Sequence, residues 1–305
     1  VIPLTVIGGY LGAGKTTLIN NLLAAPHGRR LAVLVNDFGA VNIDRDLIAR
    51  HDGDTIALTN GCVCCSIQDS LGEALDKVIA LKPDNIVIEA SGVADPAKIA
   101  YYGQGWPGVR LDVVATLVDA TNIRDRAGDK FVGNLVMRQL EAGDFLLLSK
   151  TDLIDGDEQC SVREWLAART VNAPLVNIRH GSLPADLLLE SGARRRDTVP
   201  PDEMPDHGGD FTSLLFEHPS PLDRAAFMAE MAEWPDAVLR AKGFVRFSDD
   251  TGRAYSLQRV GARVSLEAAP YPDDLKPGSQ ITLIGARHQF NPEALRASLQ
   301  RCLAG

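Results

Sequence analysis

Residues 8–17 read Gly-Gly-Tyr-Leu-Gly-Ala-Gly-Lys-Thr-Thr, and Gly9 through Thr16 fit the pattern G-x-x-x-x-G-K-[ST]. An apolar β-type run, Leu4 to Ile7, precedes the loop, and Leu18, Leu22 and Leu23 mark one face of a helix after it. That strand-loop-helix setting is what a phosphate cradle requires. Backbone N–H groups around Gly9, Gly12, Ala13 and Gly14 turn inward, and the helix N-terminus adds positive dipole. Lys15 is placed to reach β- and γ-phosphates, and the Thr16 hydroxyl to hold Mg²⁺, with Thr17 completing the run. The reading is nucleoside triphosphate binding.

Outward from the loop, short apolar strands alternate with helical patterns. Strands are predicted at Leu31–Val35, Thr55–Leu58, Asn85–Glu89, Val113–Val118, Phe145–Leu148 and Leu175–Ile178. Leu71, Leu75, Val78 and Ile79 line one helix face, and Trp165 and Leu166 belong to another helix. Such alternation predicts an α/β domain, a mostly parallel sheet with helices on both faces. Residues 192–210 are polar, with three prolines and three glycines, and read as a linker in which Arg194–Arg196 is solvated charge. A smaller α+β segment follows. Its strands are expected at Phe211–Phe216 and near 243–247, 254–260, 262–267 and 280–284. Its helices are expected over 221–233, with Phe227 and Met231 inward, and around Leu295, Leu299 and Leu303. The division is therefore residues 1–190, a linker over 191–210 and a second domain over 211–305.

The base is suggested by Ser149-Lys150-Thr151-Asp152, which follows a strand. In the N-K-x-D arrangement of GTPases the Asp accepts from guanine N1–H and the exocyclic amine, and the Lys stacks over the ring. Here Lys150 and Asp152 are kept, and Ser149 replaces Asn. A carboxylate opposite adenine N1 would meet an acceptor, so Asp152 favours GTP. Glu89 ends a strand and suits Mg²⁺ or the attacking water, with Gly92 free to approach the γ-phosphate. Asp37, in Asn36-Asp37-Phe38-Gly39, sits where a nucleotide-sensing switch would lie. His180, past the last strand of the domain, lies where a base-contacting loop would run; a structural role is its alternative.

Gly61-Cys62-Val63-Cys64-Cys65 places three thiols within four residues. Three thiolates make a soft ligand set that suits Zn²⁺; Cu(I) also fits by softness, and cobalt and nickel are further alternatives. Buried structural thiols and a redox pair are the alternatives. An adjacent Cys64–Cys65 disulfide would be strained. Cys302 lies beside the Leu295/Leu299 face and reads as core; Cys160 stands alone in a helix.

The chain of 305 residues carries 31 basic and 40 acidic side chains, a net charge of −9, which argues against nonspecific nucleic-acid binding. No apolar stretch is long enough to cross a bilayer and no signal-peptide pattern opens the sequence. Five cysteines with three clustered do not form a disulfide framework, so a cytoplasmic setting is expected.

Taken together, GGYLGAGKTT, NDFG, GCVCC, EASGVADP, VDA at 118–120, SKTD and the His-Gly at 180–181 resemble the CobW-like P-loop GTPases, metallochaperones related to UreG and HypB. LRAKGF (239–244) and ITLIGA (281–286) resemble that family's C-terminal domain. The resemblance implies slow Mg²⁺-dependent GTP hydrolysis to GDP, a transition metal at Cys62, Cys64 and Cys65, and delivery to a client metalloprotein. Zinc is the leading ion, cobalt the next, with Ni²⁺ or Fe²⁺ also compatible. It carries over to Lys15, Thr16, Glu89, Lys150 and Asp152. The chain departs from the family at Ser149, at Val35 and Ala40 beside the switch, at Asn122 where a His is common, and in having only His207 between the domains. A nucleotide- or metal-dependent dimer is compatible with the resemblance. The rival readings are a nucleotide-regulated metal-sensing or zinc-buffering protein and a P-loop phosphotransferase.

Overall fold

The computed structural model describes residues 1–36, 55–60, 67–170, 173–190, 211–269, 278–287 and 289–304. Asp37, Cys62, Cys64, Cys65, Arg194–Arg196 and His207 lie outside the described residues. The chain divides into two compact units, Val1–Gly192 and Ala193–Gly305.

In the first unit the strands are β1 (Ile2–Gly9), β2 (Leu31–Asn36), β3 (Thr55–Asn60), β4 (Asn85–Glu89), β5 (Val109–Asp119), β6 (Phe145–Ser149) and β7 (Leu175–Asn177). Its helices are α1 (Lys15–Ala24), α2 (Ile67–Ala80), α3 (Pro96–Gln104), α4 (Ile123–Gly128), α5 (Gly133–Ala142), α6 (Gly156–Ala167) and α7 (Ala185–Leu188). The strands form one sheet in the order β3-β2-β4-β1-β5-β6-β7, every neighbouring pair parallel. Parallel sheets are covered on both faces, and β1 shows it: Pro3 through Gly9 are all buried. Leu4 and Val6 pack with Leu75 and Val78 of α2 and Ile99 of α3. Thr5, between them, faces the other way and donates its hydroxyl to Leu188 O.

β1 is flanked by β4 and β5, so the strand order reverses around it. The carboxyl ends of strands at such a reversal splay apart and leave a crevice, which is where ligands sit in open α/β sheets.

The second unit holds β8 (Phe211–His218), α8 (Arg224–Ala232), β9 (Val238–Phe247), β10 (Asp250–Val260), β11 (Arg263–Ala269), β12 (Ser279–Ala286) and α9 (Pro292–Arg301). Its sheet is antiparallel, ordered β11-β10-β9-β12-β8. Phe216, Leu283 and Val245 from the strands share a core with Phe227 and Met231 of α8 and with Leu295 and Leu299 of α9. Cys302 joins this core as expected, and burial raises its thiol pKa.

Several expected boundaries shift. β5 begins at Val109 rather than Val113, because Val109, Arg110 and Leu111 already pair with Ile2, Pro3 and Leu4 of β1. β9 begins at Val238 rather than near 243, because Arg240 and Lys242 alternate with Leu239 and Ala241 along an extended strand. Leu303 lies beyond the end of α9 and instead bridges to Leu222.

Candidate nucleotide site

The loop between β1 and α1 turns on glycine. Gly9 has φ 133°, and a Cβ there would fall 2.5 Å from Leu117 O, so the strand can leave the sheet only without a side chain. Gly14 caps α1 at φ 99°, in the left-handed region that an L side chain resists. The helix supplies no side chain to its own first amides, and those amides are what an anion would meet. Lys15 is buried, and its Nζ donates to Gly9 O at 3.0 Å and Tyr10 O at 3.4 Å, so the ammonium is held across the loop.

Glu89, at the carboxyl end of β4, is buried, and its Oε1 accepts from Thr16 Oγ1 at 3.0 Å. Residues separated by most of the domain's first half thus meet beside the loop. Gly92 also comes close: a Cβ on it would lie 2.8 Å from Leu11 N and 2.6 Å from Leu11 Cδ2. The loop after β4 therefore abuts the tip of the phosphate loop.

The base-directed motif reaches the same place from β6. Ser149 is buried, and its Oγ lies 2.8 Å from Ala13 O and 3.1 Å from Val118 O. Lys150 adopts a left-handed backbone, φ 57°, an uncommon conformation for a long side chain. Its Nζ donates to Asp119 Oδ2 at 2.6 Å. Asp119 also accepts from Thr121 N and Oγ1, at 3.0 and 2.6 Å, and from Asn122 Nδ2 at 3.1 Å. Burial pushes the Asp119 carboxyl up. The hydrogen bonds from Lys150 and Thr121 and the Lys150 charge more than offset it, leaving the carboxyl below its ordinary range. Asp152 lies in the short turn Thr151–Leu153 and is exposed.

The fourth wall is the Arg179–Ser182 turn. His180 has φ 50° and an exposed side chain, and its carbonyl oxygen accepts from Asn21 Nδ2 at 2.6 Å. A Cβ on Gly181 would lie 3.2 Å from both Leu18 N and Thr17 Cγ2, so the turn rests against the first turns of α1.

Of the residues expected from sequence, the structure gathers Gly9, Gly12, Ala13, Gly14, Lys15, Thr16, Glu89, Gly92, Ser149 and Lys150 around one loop, with the His180 turn beside Thr17. Asp119 enters the sequence reading only as part of the VDA motif. The signal that singled out Glu89, an acid ending a core strand, applies to it equally. Gln139, buried in α5, carried no sequence signal at all.

Two family models divide the chain. Residues 3–177 match the CobW/HypB/UreG nucleotide-binding domain. The chain belongs to the CobW/HypB/UreG family. It is a GTPase of that family, and residues 211–303 match the cobalamin synthesis protein CobW C-terminal domain. A relative from Sinorhizobium sp, named zinc chaperone CobW, is 33% identical, covering 98% of this chain and 96% of its own. The Escherichia coli zinc chaperone YjiA is 31% identical over 97% of each chain. The Schizosaccharomyces pombe zinc-regulated GTPase metalloprotein activator 1 is 34% identical over 60% of this chain and 47% of its own. A solved structure described as Zn(II)-bound YjiA GTPase from E. coli aligns at 27% identity and a TM-score of 0.47, covering 99% of each chain. Among the described residues no helix is long and apolar enough to cross a membrane.

Proposed function

We propose that this GTPase is a cytoplasmic metallochaperone, in which GTP hydrolysis times the holding and release of zinc bound by Cys62, Cys64 and Cys65. The zinc passes to a client protein with ligands of its own. The names of the relatives from Sinorhizobium and E. coli support zinc as the cargo. On this reading residues 1–190 form the GTPase domain, 191–210 the linker and 211–305 the C-terminal domain.

The observation that carries the reading is a strand register. Val35 pairs with Glu89 across β2 and β4, and Asn36 pairs with Asn60 across β2 and β3. β2 and β3 therefore end level with the Glu89 end of β4. Asp37 directly follows the first of these strands, and Gly61–Cys65 directly follows the second. β2 and β3 thus stop at the nucleotide end of the sheet, and the switch-like segment and the thiols follow them directly in sequence. A change there on loss of the γ-phosphate has a short covalent path to the zinc ligands.

On this proposal the nucleotide roles are assigned residue by residue. The amides of Gly9–Thr17 and the Lys15 ammonium bind the phosphates, with Gly92 at the γ-phosphate and Asp37 as its sensor. Asp152 reads guanine, Lys150 covers its ring, and the His180 turn closes the base side. The Thr16 hydroxyl and the Glu89 carboxylate, 3.0 Å apart, are a hard oxygen pair that fits Mg²⁺. When bound, the ion neutralises charge building on the phosphate oxygens. Glu89 also orients the attacking water.

The test is an anaerobic competition titration against a zinc chelator, with cobalt and nickel run in parallel. Wild-type protein should bind zinc tightly, and Cys64→Ser should weaken it by orders of magnitude. Equal zinc affinity in the two proteins would reject the site.

A further inference from the structure

Gln139, on α5, is 2% exposed and belongs to none of the nucleotide motifs read from the sequence. Its Nε2 donates to Gly92 O at 3.0 Å and to Ala94 O at 2.8 Å. Its backbone carbonyl accepts from Thr116 Oγ1 at 2.9 Å, which fixes that turn of α5 to β5. The amide has one workable orientation. Flipping it would set Oε1 against two carbonyl oxygens, acceptor on acceptor. Oε1 is left buried with no hydrogen-bond partner among the described residues. Together with Tyr10, Ala13, Asp119 and Arg126, Gln139 lines the cleft behind the phosphate loop.

The neighbouring residue extends the same hold. Arg138 Nε lies 3.5 Å from Asp95 Oδ2, and Asp95 caps α3 by accepting from Ala97 N at 3.0 Å. The segment from Glu89 to Asp95 is thus fixed in sequence: Glu89 by Thr16, Gly92 and Ala94 by Gln139, Asp95 by Arg138. Between these anchors Gly92 presses on Leu11.

We propose that Gln139 is a positioning residue for GTP hydrolysis. By holding the Gly92 and Ala94 carbonyls it sets the peptide planes of the loop that meets the γ-phosphate. The inference rests on the reading that Gly92 approaches that phosphate. GDP has no γ-phosphate, so its binding does not depend on Gln139. The two nucleotides should therefore respond differently to loss of the amide.

The experiment uses the full chain with Gln139→Met, which keeps length and removes the donor, and Gln139→Glu. Steady-state GTP hydrolysis with Mg²⁺ is measured at about pH 6 and pH 8, beside GDP affinity. Q139M should lose about tenfold or more in kcat while its GDP Kd stays within about twofold of wild type. Q139E should be impaired at the higher pH, where a carboxylate faces two carbonyls. It should recover relative to wild type at the lower pH, where the protonated group again donates. A kcat for Q139M within about twofold of wild type overturns the proposal. So does a parallel fall in kcat and GDP affinity, which a merely structural role would give. If Q139M does not fold, the Q139E profile decides, and a pH-independent ratio to wild type overturns it. Gly92→Ala separates the two readings. Lost hydrolysis there with wild-type kcat in Q139M rejects only the Gln139 role, whereas normal hydrolysis in Gly92→Ala rejects the Gly92 role itself.

Discussion

The Ser149 hydroxyl lies 2.8 Å from Ala13 O, so the strand end that precedes Lys150 and Asp152 is tied directly to the phosphate loop. The serine that replaces the usual asparagine therefore serves as a link between two loops, its hydroxyl turned to backbone carbonyls. Ser149→Ala removes a buried donor and strands an acceptor, at about 1–2 kcal/mol of stability. Thermal unfolding should show a lower Tm, and affinity for GTP should drop modestly. The ratio of GTP to ATP affinity should stay at the wild-type value. A collapse of that ratio would mean that Ser149 contacts the base.

On the proposed function Asp152, whose side chain is exposed, discriminates the base. Asp152→Asn should weaken GTP by about tenfold or more, the cost of replacing a charged acceptor of two N–H groups. The same variant should gain affinity for xanthosine triphosphate, which presents a carbonyl where guanine presents its amine. Competition binding with the three nucleotides reads both changes.

Much of this site was legible because its parts are local. The loop Gly9–Thr16 carries its strand, glycines and helix in consecutive residues, and the structure keeps that order. The contacts between loops were not legible. Ser149 and Ala13, or Gln139 and Gly92, meet only after the sheet has ordered its strands. A buried glutamine in an amphipathic helix gives no periodic signal of its target. The start of β9 was missed for a different reason: Arg240 and Lys242 mask a strand whose alternate residues are apolar.

Asp119 and Lys150 form an ion pair in which the carboxylate is buried. The carboxyl pKa is depressed in the folded chain, so its contribution is present above the unfolded value of about 3.9 and lost as pH falls through the folded value. Urea unfolding of wild type and Asp119→Asn should thus differ by a constant amount near neutrality, and the gap should close in strong acid. A gap that widens on acidification would contradict the assigned direction.

Glu89→Gln keeps a group that Thr16 can meet but removes the charge. GDP affinity without Mg²⁺ should hold near wild type, while Mg²⁺-dependent hydrolysis should fall by about 10²-fold or more. Measuring turnover across a Mg²⁺ titration separates this from a folding defect.

Zinc affinity measured in each nucleotide state reads the proposed coupling between the nucleotide and the three thiols. Full-length protein is titrated anaerobically with zinc against a chelator in three forms: with a nonhydrolysable GTP analogue and Mg²⁺, with GDP and Mg²⁺, and without nucleotide. Zinc should bind most tightly with the GTP analogue and about tenfold more weakly with GDP, a coupling of about 1.4 kcal/mol. Equal zinc affinities in all three states would contradict it.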